Sequence, residues 1–339
     1  MEILMGVVLL VLVLGVFSLF SLKAPKGSLA MSGLANAAIA TFLVEAIHKY
    51  ILGDFIGIQF LNETGSVAGG MGGVAAAALV ALSMGVNPIF ALVTAVAIAD
   101  FGILPGFIVG YLMGWIAPYI EKKLPKGINI ILGALILAPI ARLVAVACDP
   151  FVTIILDTVG TTLMAATEQS PILMGFFLGG LIKMICTSPL SSMALTAMLG
   201  LTGLPMGIAA IACFGGTFTN GIIFKRLKLG DQGKVVSVML EPLTQADIIT
   251  SNPLPVYCSN FLGGGVSGII AASLGIVNNA PGTAAPIPGM LAPFAFNDPV
   301  NVVIALALAA IAGSLAGIFG AQVFRLIKYK PVTPATSKA

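Results

Sequence analysis

Residues 175–195 read GFFLGGLIKMICTSPLSSMAL. The stretch is apolar at both ends, but it contains three glycines, Lys183 and the dipeptide Ser188-Pro189. Proline interrupts a membrane helix, and the freed backbone groups must then face protein or a water-filled cavity. Glycine lets neighbouring helix backbones approach closely. The stretch therefore predicts an interrupted membrane segment and not one straight span.

The rest of the chain has the same character. Hydrophobic residues make up 58% of its 339 residues and charged residues only 9%, with a mean hydropathy of +1.09. A soluble domain carries about 25% charged residues. Forty glycines and twenty prolines interrupt the apolar runs. These values predict an all-α polytopic membrane protein with about ten transmembrane helices, broken helices and re-entrant hairpins.

Several function classes are disfavoured. The net charge is +3, and no basic run is long enough to follow a nucleic-acid backbone. The four cysteines form no CxxC pair, so neither a metal site nor a redox motif is expected, and no cofactor is expected. We therefore expect one integral membrane transporter-like domain over residues 1–330, a short polar tail over 331–339, and no catalytic residue in this chain on its own.

Basic residues predict the topology. They cluster in four places, which should all be cytoplasmic. Their members are Lys23/Lys26, Lys122/Lys123/Lys126, Lys225/Arg226/Lys228/Lys234 and Arg325/Lys328/Lys330. Only three apolar segments separate Lys26 from Lys122, although an even number of crossings is required. We expect the segment Ile89–Tyr119, which contains Pro105, to be re-entrant or doubled.

A polar residue precedes proline beside an apolar run at seven places. Asn, Asp and Ser are good N-caps, and proline is favoured at the first helical position, so most of these pairs should begin helices. Ser188-Pro189 and Asn252-Pro253 are candidates for helix starts at membrane depth. The other five are Asn87-Pro88, Asp149-Pro150, Ser170-Pro171, Glu241-Pro242 and Asp298-Pro299.

Ionisable side chains inside apolar segments need partners or a function. Glu45 and Lys49 are four residues apart, which favours an ion pair, and His48 is either a satisfied polar group or a proton or sugar ligand. Arg142 and Lys183 either pair with an acid on another helix or bind a phosphate or a sugar acid. Asp100, Asp149 and Asp157 are available acids.

The densest polar cluster lies between Glu241 and Asn260, inside a broken region from Val235 to Phe296. It is either an aqueous loop or a hairpin that dips into the protein. Carboxylates and carboxamides bind neighbouring hydroxyl groups, as a sugar site requires. We interpret the broken stretches after Lys183 as segments that fold back within the bilayer around a polar chamber.

Three stretches carry a resemblance to a known family. They are GFIVGYLMGWIAPYIEKKLPKGINIILGALILAPIARL at 106–143, the opening stretch at 175–195, and LEPLTQADIITSNPLP at 240–255. They resemble the membrane subunit, enzyme IIC, of the bacterial sugar phosphotransferase system. The likeness is to its stand-alone branch, which includes the perfringolysin O regulator-like proteins. Glu241-Pro242 is similar to the Glu-Pro motif whose glutamate binds sugar in glucose-type members, whereas Ser191-Ser192 replaces the Asn-Lys pair of fructose-type members.

The resemblance implies a homodimeric permease in a bacterial cytoplasmic membrane, surrounded by lipid. It would bind and translocate a sugar or related small polar metabolite, with a separate IIB protein phosphorylating that substrate. The candidate ligands are Glu241, Asn252 and Ser188, followed by Asn220 and Asp247. Two alternatives stay open: a sensor or regulator that keeps the IIC fold, and an ion-coupled carrier or channel that uses Glu45, His48 or Asp100.

Overall fold

The computed structural model describes residues 2–125, 127–167 and 170–332, which are mostly helical. The first half comprises α1 (Glu2–Lys23), α2 (Gly27–Ala38), α3 (Gln59–Gly70), α4 (Gly72–Ser83), α5 (Pro88–Val96), α6 (Ile103–Lys123) and α7 (Asn129–Thr167). The second half comprises α8 (Pro171–Cys186), α9 (Ser192–Met198), α10 (Gly203–Leu227), α11 (Gln232–Leu240), α12 (Ala246–Ser251), α13 (Pro253–Ser273), α14 (Pro286–Leu291) and α15 (Pro299–Leu326). Short 3₁₀ turns follow α11 at Pro242–Gln245 and α14 at Ala292–Ala295.

Six helices in the described ranges are long and apolar enough to cross a membrane, or seven if the bent pair α3–α4 is one span. This confirms the all-α polytopic class, but the expected number of about ten spans is wrong. The first reason is that α7 is one continuous helix of 39 residues, a length close to that of two spans of about 20 residues each. It contains Pro139 and Pro150, so Asp149-Pro150 lies inside a helix and does not begin one. The second reason is that four helices after Lys183 have nine residues or fewer, too few to cross a membrane: α9, α11, α12 and α14.

Helix α2 continues through two π-helical segments, Ile39–Leu43 and Ala46–Phe55. Together they form one rod from Gly27 to Phe55. Lys49 and Glu45 form the expected ion pair there, with Nζ and Oε1 3.0 Å apart. The chain then returns along α3 and α4, which meet at an angle of 59°. Gly65 and Gly69 allow α3 to lie directly against Lys49 and Glu45.

A break in the segment Ile89–Tyr119 explains why three apolar segments lie between Lys26 and Lys122, where an even number of crossings is required. Short α5 runs back from the end of α4, the chain turns at residues 97–102, and α6 returns. With nine residues, α5 is too short to cross a membrane. Asn87 at its start donates to Glu121 near the end of α6 at 3.5 Å, so α5 and α6 form a hairpin that begins and ends on the same side. The rod from Gly27 to Phe55 and the α3–α4 pair remain as an even number of crossings. Pro105 lies in the first turn of α6, where a missing N–H costs little.

Helices α8, α10, α13 and α15 form the core that surrounds the site. Their backbones are in close contact at glycines: a Cβ on Gly268 of α13 would lie 2.1 Å from the carbonyl oxygen of Gly175 in α8. Likewise, a Cβ on Gly313 of α15 would lie 1.9 Å from the carbonyl oxygen of Gly215 in α10. Glycine is therefore a packing requirement here, as small-residue contacts between membrane helices predict.

Five of the seven polar-proline pairs begin helices. Asn87 and Asp298 cap α5 and α15 through their side chains, Ser170 precedes α8, Glu241 precedes the 3₁₀ turn and Asn252 precedes α13. Ser188-Pro189 begins no helix, so that expectation is wrong. The chain makes a turn there, and α9 starts at Ser192, directly after Ser191, which has a positive φ of 58°.

The core helices give the molecule two distinct ends. Helices α1, α10 and α15 all finish in basic residues, and the side chain of Arg325 donates to the carbonyl oxygen of Arg226. We call this the basic end. The opposite, distal end contains Phe55 and the starts of α10 and α15, where the backbone N–H of Asn278 donates to the carbonyl oxygen of Gly203 at 3.0 Å. The positive-inside rule predicts that the basic end is cytoplasmic.

Candidate functional site

The first part of the site is a hairpin formed by α11, the 3₁₀ turn and α12, which we call the inner hairpin (residues 232–251). Asp231 begins it by accepting a hydrogen bond from the backbone N–H of Lys234 at 2.9 Å. The hairpin rises from the basic end, and its tip is fixed to α10 because the hydroxyl of Thr217 donates to the carbonyl oxygen of Met239. Glu241 then takes an extended backbone conformation, and Pro242 starts the way back. The tip therefore presents Glu241 to the protein interior.

The second part is the turn between α8 and α9. The hydroxyl of Thr187 donates to the carbonyl oxygens of Lys183 and Met184, which satisfies the end of α8. Ser188 Oγ donates to the carbonyl oxygen of Ile185 at 2.8 Å and accepts from the N–H of Leu190 at 3.2 Å. This local bonding holds the turn without a helix and leaves its small side chains facing the inner hairpin.

The third part is the non-helical segment from Asn278 to Ala285, which enters from the distal end. Ser192 of α9 holds it by donating to the carbonyl oxygen of Ala284 at 2.6 Å. Next to it, a Cβ on Gly289 of α14 would lie 2.4 Å from the carbonyl oxygen of Ala210, so α14 lies directly on the middle of α10. Three chain interruptions, one from the basic end and two from the distal end, therefore meet at the middle of α10.

These three parts enclose a cavity, which we call the Glu241 cavity. Its polar wall includes Glu241, Ser188, Ser192 and Cys186, and Ala285 contributes from the third part. The cavity volume is only about 10 Å³. A single water needs roughly 10–15 Å³, whereas small-molecule sites measure roughly 300–1,000 Å³. The cavity is therefore closed in this conformation.

Glu241 is the chemically exceptional side chain of the cavity. It is 5% exposed; Oε1 accepts from the N–H of Leu243 at 3.3 Å, and Oε2 has no hydrogen-bond partner in the described part of the chain. Burying a carboxylate oxygen without a partner is costly. An oxygen of this kind is therefore available to a ligand that donates hydrogen bonds, such as a hydroxyl group.

Lys183 lies next to this cavity and is completely buried. Its stem lies against the backbones of Gly216 and Gly264, and its ammonium donates to the carbonyl oxygen of Cys213 at 3.3 Å and to the Cys186 thiol at 3.9 Å. No carboxylate of a described residue forms an ion pair with it. The interhelical ion pair considered for Lys183 is thus not found, while Arg142 does pair with Asp100.

The other candidate ligands lie outside the Glu241 cavity. Asn252 is tied to the chain after α15, donating to the carbonyl oxygen of Val332 at 2.8 Å and accepting from its N–H at 2.9 Å. Asn220 of α10 accepts from Nδ2 of Asn260 at 2.6 Å inside the helix core. Asp247 is half-buried on α12, and its carboxylate accepts from the N–H of Ile248 at 2.8 Å. The structure thus brings together two of the five candidates, Glu241 and Ser188.

Sequence reasoning did not single out Cys186, Ser192 and Ala285 as lining residues. Ser191-Ser192 follows Ser188-Pro189 so closely that the cluster of hydroxyl groups was a usable signal. Ala285 had no such signal because it reaches the cavity from nearly one hundred residues away. His48, the only histidine of the sequence, lies on the π-helical segment, with Nδ1 3.2 Å from the carbonyl oxygen of Val44.

Comparison with known proteins gives one match. The model of the family described as phosphotransferase system, EIIC, matches residues 28–333. Neither the search of curated proteins nor that of solved structures returned a match. The matched range contains all three parts of the site. The chain therefore belongs to the phosphotransferase system EIIC family and is a multi-pass membrane component of that transport system.

Proposed function

We propose that this chain is a permease that binds and translocates a sugar or related small polar metabolite through the Glu241 cavity. The observation that carries the proposal is Oε2 of Glu241, which is buried without a partner at the point where three interruptions of the chain meet. Glu241 and Ser188 are the proposed ligands. Asn252, Asn220 and Asp247 lie outside the Glu241 cavity, and we give them no contact with substrate in this conformation.

Transport then requires the cavity to open. At about 10 Å³ the cavity is too small to hold a sugar in the described conformation. The inner hairpin and the distal segment reach the cavity from opposite ends of the molecule. Movement of one at a time would expose the site alternately to each side, as transport by alternating access requires.

Membership of the EIIC family supports a proposal for the membrane and the partners. We place the protein in the bacterial cytoplasmic membrane as a homodimer, with the basic end in the cytoplasm. A separate IIB protein would phosphorylate the substrate there, which leaves binding and translocation to this chain.

The substitution Glu241→Gln tests the site. We expect the variant to fold, because the amide keeps the shape of the side chain, and to lose the rise in melting temperature that a substrate gives the wild type. The measurement is a thermal-shift screen of the purified protein against sugars, sugar acids and fatty acids. Asp247→Asn is the matched control, because that carboxylate is on the same hairpin but outside the cavity, and it should keep the shift. An undiminished shift in Glu241→Gln removes Glu241 from the site.

Uptake separates the permease from the two alternatives. Reconstituted vesicles should accumulate the substrate identified in the screen, and candidate IIB proteins with a phosphoryl donor should increase that accumulation. Binding without uptake, with or without IIB, would favour a sensor or regulator. Uptake that follows an imposed pH gradient would instead favour an ion-coupled carrier.

A further inference from the structure

A second cavity, of about 400 Å³, opens at the distal end. Its wall includes the rings of Tyr50, Phe55, Phe294 and Phe296, the carboxylate of Asp54 and the hydroxyl-bearing Thr283. We call it the distal vestibule. Its volume lies in the range of small-molecule sites, roughly 300–1,000 Å³, and is far larger than that of the Glu241 cavity.

The chemistry of the wall favours an uncharged polyhydroxyl ligand. Aromatic rings bury the C–H faces of a sugar ring, and a carboxylate accepts hydrogen bonds from its hydroxyl groups. Asp54 is held at the rim because Asn62 donates a hydrogen bond to it. Lys49 is nearby, 5.0 Å above the ring of Tyr50, but its ammonium is paired with Glu45. No basic side chain of a described residue lines the vestibule, so a sugar acid would meet Asp54 without a compensating charge.

One segment separates the vestibule from the Glu241 cavity. Ala280 and Thr283 line the vestibule, and Ala285 lines the Glu241 cavity. The segment from Asn278 to Ala285 is not helical, so no ladder of backbone hydrogen bonds holds it in place. Irregular backbone of one short segment therefore lines both cavities.

A small number of side-chain hydrogen bonds keep this wall closed. Within the segment, Asn278 Nδ2 donates to the Thr283 hydroxyl at 2.9 Å, and that hydroxyl donates to the carbonyl oxygen of Ala280 at 2.7 Å. Across to α9, the Ser192 hydroxyl donates to the carbonyl oxygen of Ala284 at 2.6 Å. The last bond joins the segment to the turn that carries Ser188, so breaking it frees one wall of the Glu241 cavity.

We propose that the distal vestibule is an outer binding site for a neutral sugar or polyol, and that the segment from Asn278 to Ala285 is the gate between it and the Glu241 cavity, latched by Ser192. The proposal rests on the proposed function, because the gate leads to that site. The vestibule lies at the end opposite the basic residues and therefore faces the outside of the cell.

The rate at which Cys186 is labelled measures opening of the gate, and this measurement requires no sugar. Cys186 lines the Glu241 cavity and is 5% exposed, so a membrane-impermeant methanethiosulfonate added outside right-side-out vesicles should reach it only when the gate opens. Labelling of each cysteine is followed by peptide mass spectrometry. Ser192→Ala should accelerate the labelling of Cys186 about fivefold to tenfold, the factor expected for one lost hydrogen bond.

Two further variants complete the Cys186 labelling experiment. Thr196→Ala is the matched control, because the Thr196 hydroxyl on the same helix donates to the carbonyl oxygen of Ser192 in its own helix, and it should leave the rate unchanged. Thr283→Ala removes the bonds inside the segment and should accelerate labelling even if Ser192→Ala folds poorly. Unchanged rates in both Ser192→Ala and Thr283→Ala overturn the gate, as does equal acceleration by Thr196→Ala.

The outer site is tested with an impermeant maleimide at Ala295→Cys, because Ala295 lines the vestibule, is exposed and takes no part in the gate bonds. Neutral hexoses, hexitols and pentitols should slow its labelling, the corresponding sugar acids should not, and Asp54→Asn should weaken the protection. Absence of protection by every neutral compound, or better protection by the acids, overturns the outer site. Cys186 labelling requires no substrate, so failure of Glu241→Gln to abolish the thermal shift would count against the proposed function and leave the gate result standing.

Discussion

The region from α4 to α7 and the region from α8 to α15 differ in where they place polar side chains. Between residues 72 and 167, the described buried polar side chains are Thr94 and Thr162, and each hydroxyl donates to a carbonyl oxygen of its own helix. The ion pair of this region, Asp100 with Arg142, lies on the exposed surface. Beyond residue 170, a lysine, a glutamate and several asparagines are buried.

The difference coincides with helix continuity. Only 22% of the most apolar stretch of α7 is buried, although this helix runs unbroken for 39 residues. In α10, 83% of the corresponding stretch is buried, and interrupted segments surround the helix. Where a membrane helix is interrupted, its free backbone groups need polar partners. These partners make the interior around Glu241 and Lys183 polar. The comparison teaches that binding chemistry belongs to the region with buried polar side chains and that α4–α7 provides an apolar frame.

Of the substitutions that test this difference between the two regions, reversing the charge of Lys183 should lower stability the most. Lys183→Glu would bury a second carboxylate near Glu241 and lose the bond to the carbonyl oxygen of Cys213, so we expect a loss of about 3–5 kcal/mol of stability. The measurement is thermal unfolding in detergent. Lys183→Met is the control: it keeps the volume without the charge and should remain folded. A Lys183→Glu protein as stable as the wild type would contradict the assigned interior.

Breaking the buried amide pair should have an intermediate effect. Asn260→Leu deprives Asn220 Oδ1 of its donor at 2.6 Å, and we expect about 1–2 kcal/mol of destabilisation, near the upper range for polar contacts between membrane helices. The double variant Asn220→Leu/Asn260→Leu should recover part of the loss, because no amide is then left without a partner. A double variant that loses the sum of the two single effects would show that the pair is not coupled.

Local sequence signals predicted the helix starts well. Asn87 and Asp298 cap helices because the preference of Asn and Asp for this position depends only on the next few residues. The same signal failed at Asp149-Pro150, because proline is tolerated inside a membrane helix whose neighbouring backbone can still be satisfied. It also failed at Ser188-Pro189, where the Ser188 hydroxyl bonds within the turn instead of capping a helix.

The site was predictable only where its residues are close in sequence. Glu241 stood out because it begins the densest polar cluster of the sequence and because Glu241-Pro242 is similar to the Glu-Pro motif of glucose-type members. Asn252 had the same appearance, yet its amide is used by Val332, eighty residues later, and no local pattern indicates that contact. Ala285 and the gate are likewise products of tertiary packing. Periodicity and capping thus predict elements, while the partner of each polar atom depends on how distant segments meet.

The smallest expected change in stability comes from replacing one buried threonine by valine in each of the two regions. Thr94 and Thr219 are both fully buried, but the hydroxyl of Thr94 donates within its own helix at 2.8 Å, whereas that of Thr219 donates to the carbonyl oxygen of Gly313 in α15 at 2.8 Å. Thr219→Val should therefore lower stability by about 1 kcal/mol, because it removes a bond between helices.

Thr94→Val should change stability by less than about 0.5 kcal/mol, because it removes only a bond from threonine to its own helix, which contributes little to the fold. Both variants keep the side-chain shape, so their unfolding temperatures in the same detergent compare the two hydrogen bonds directly. Equal losses would mean that buried hydroxyl groups serve the two regions in the same way, and the division between an apolar frame and a polar, interrupted core would then not hold at this level of detail.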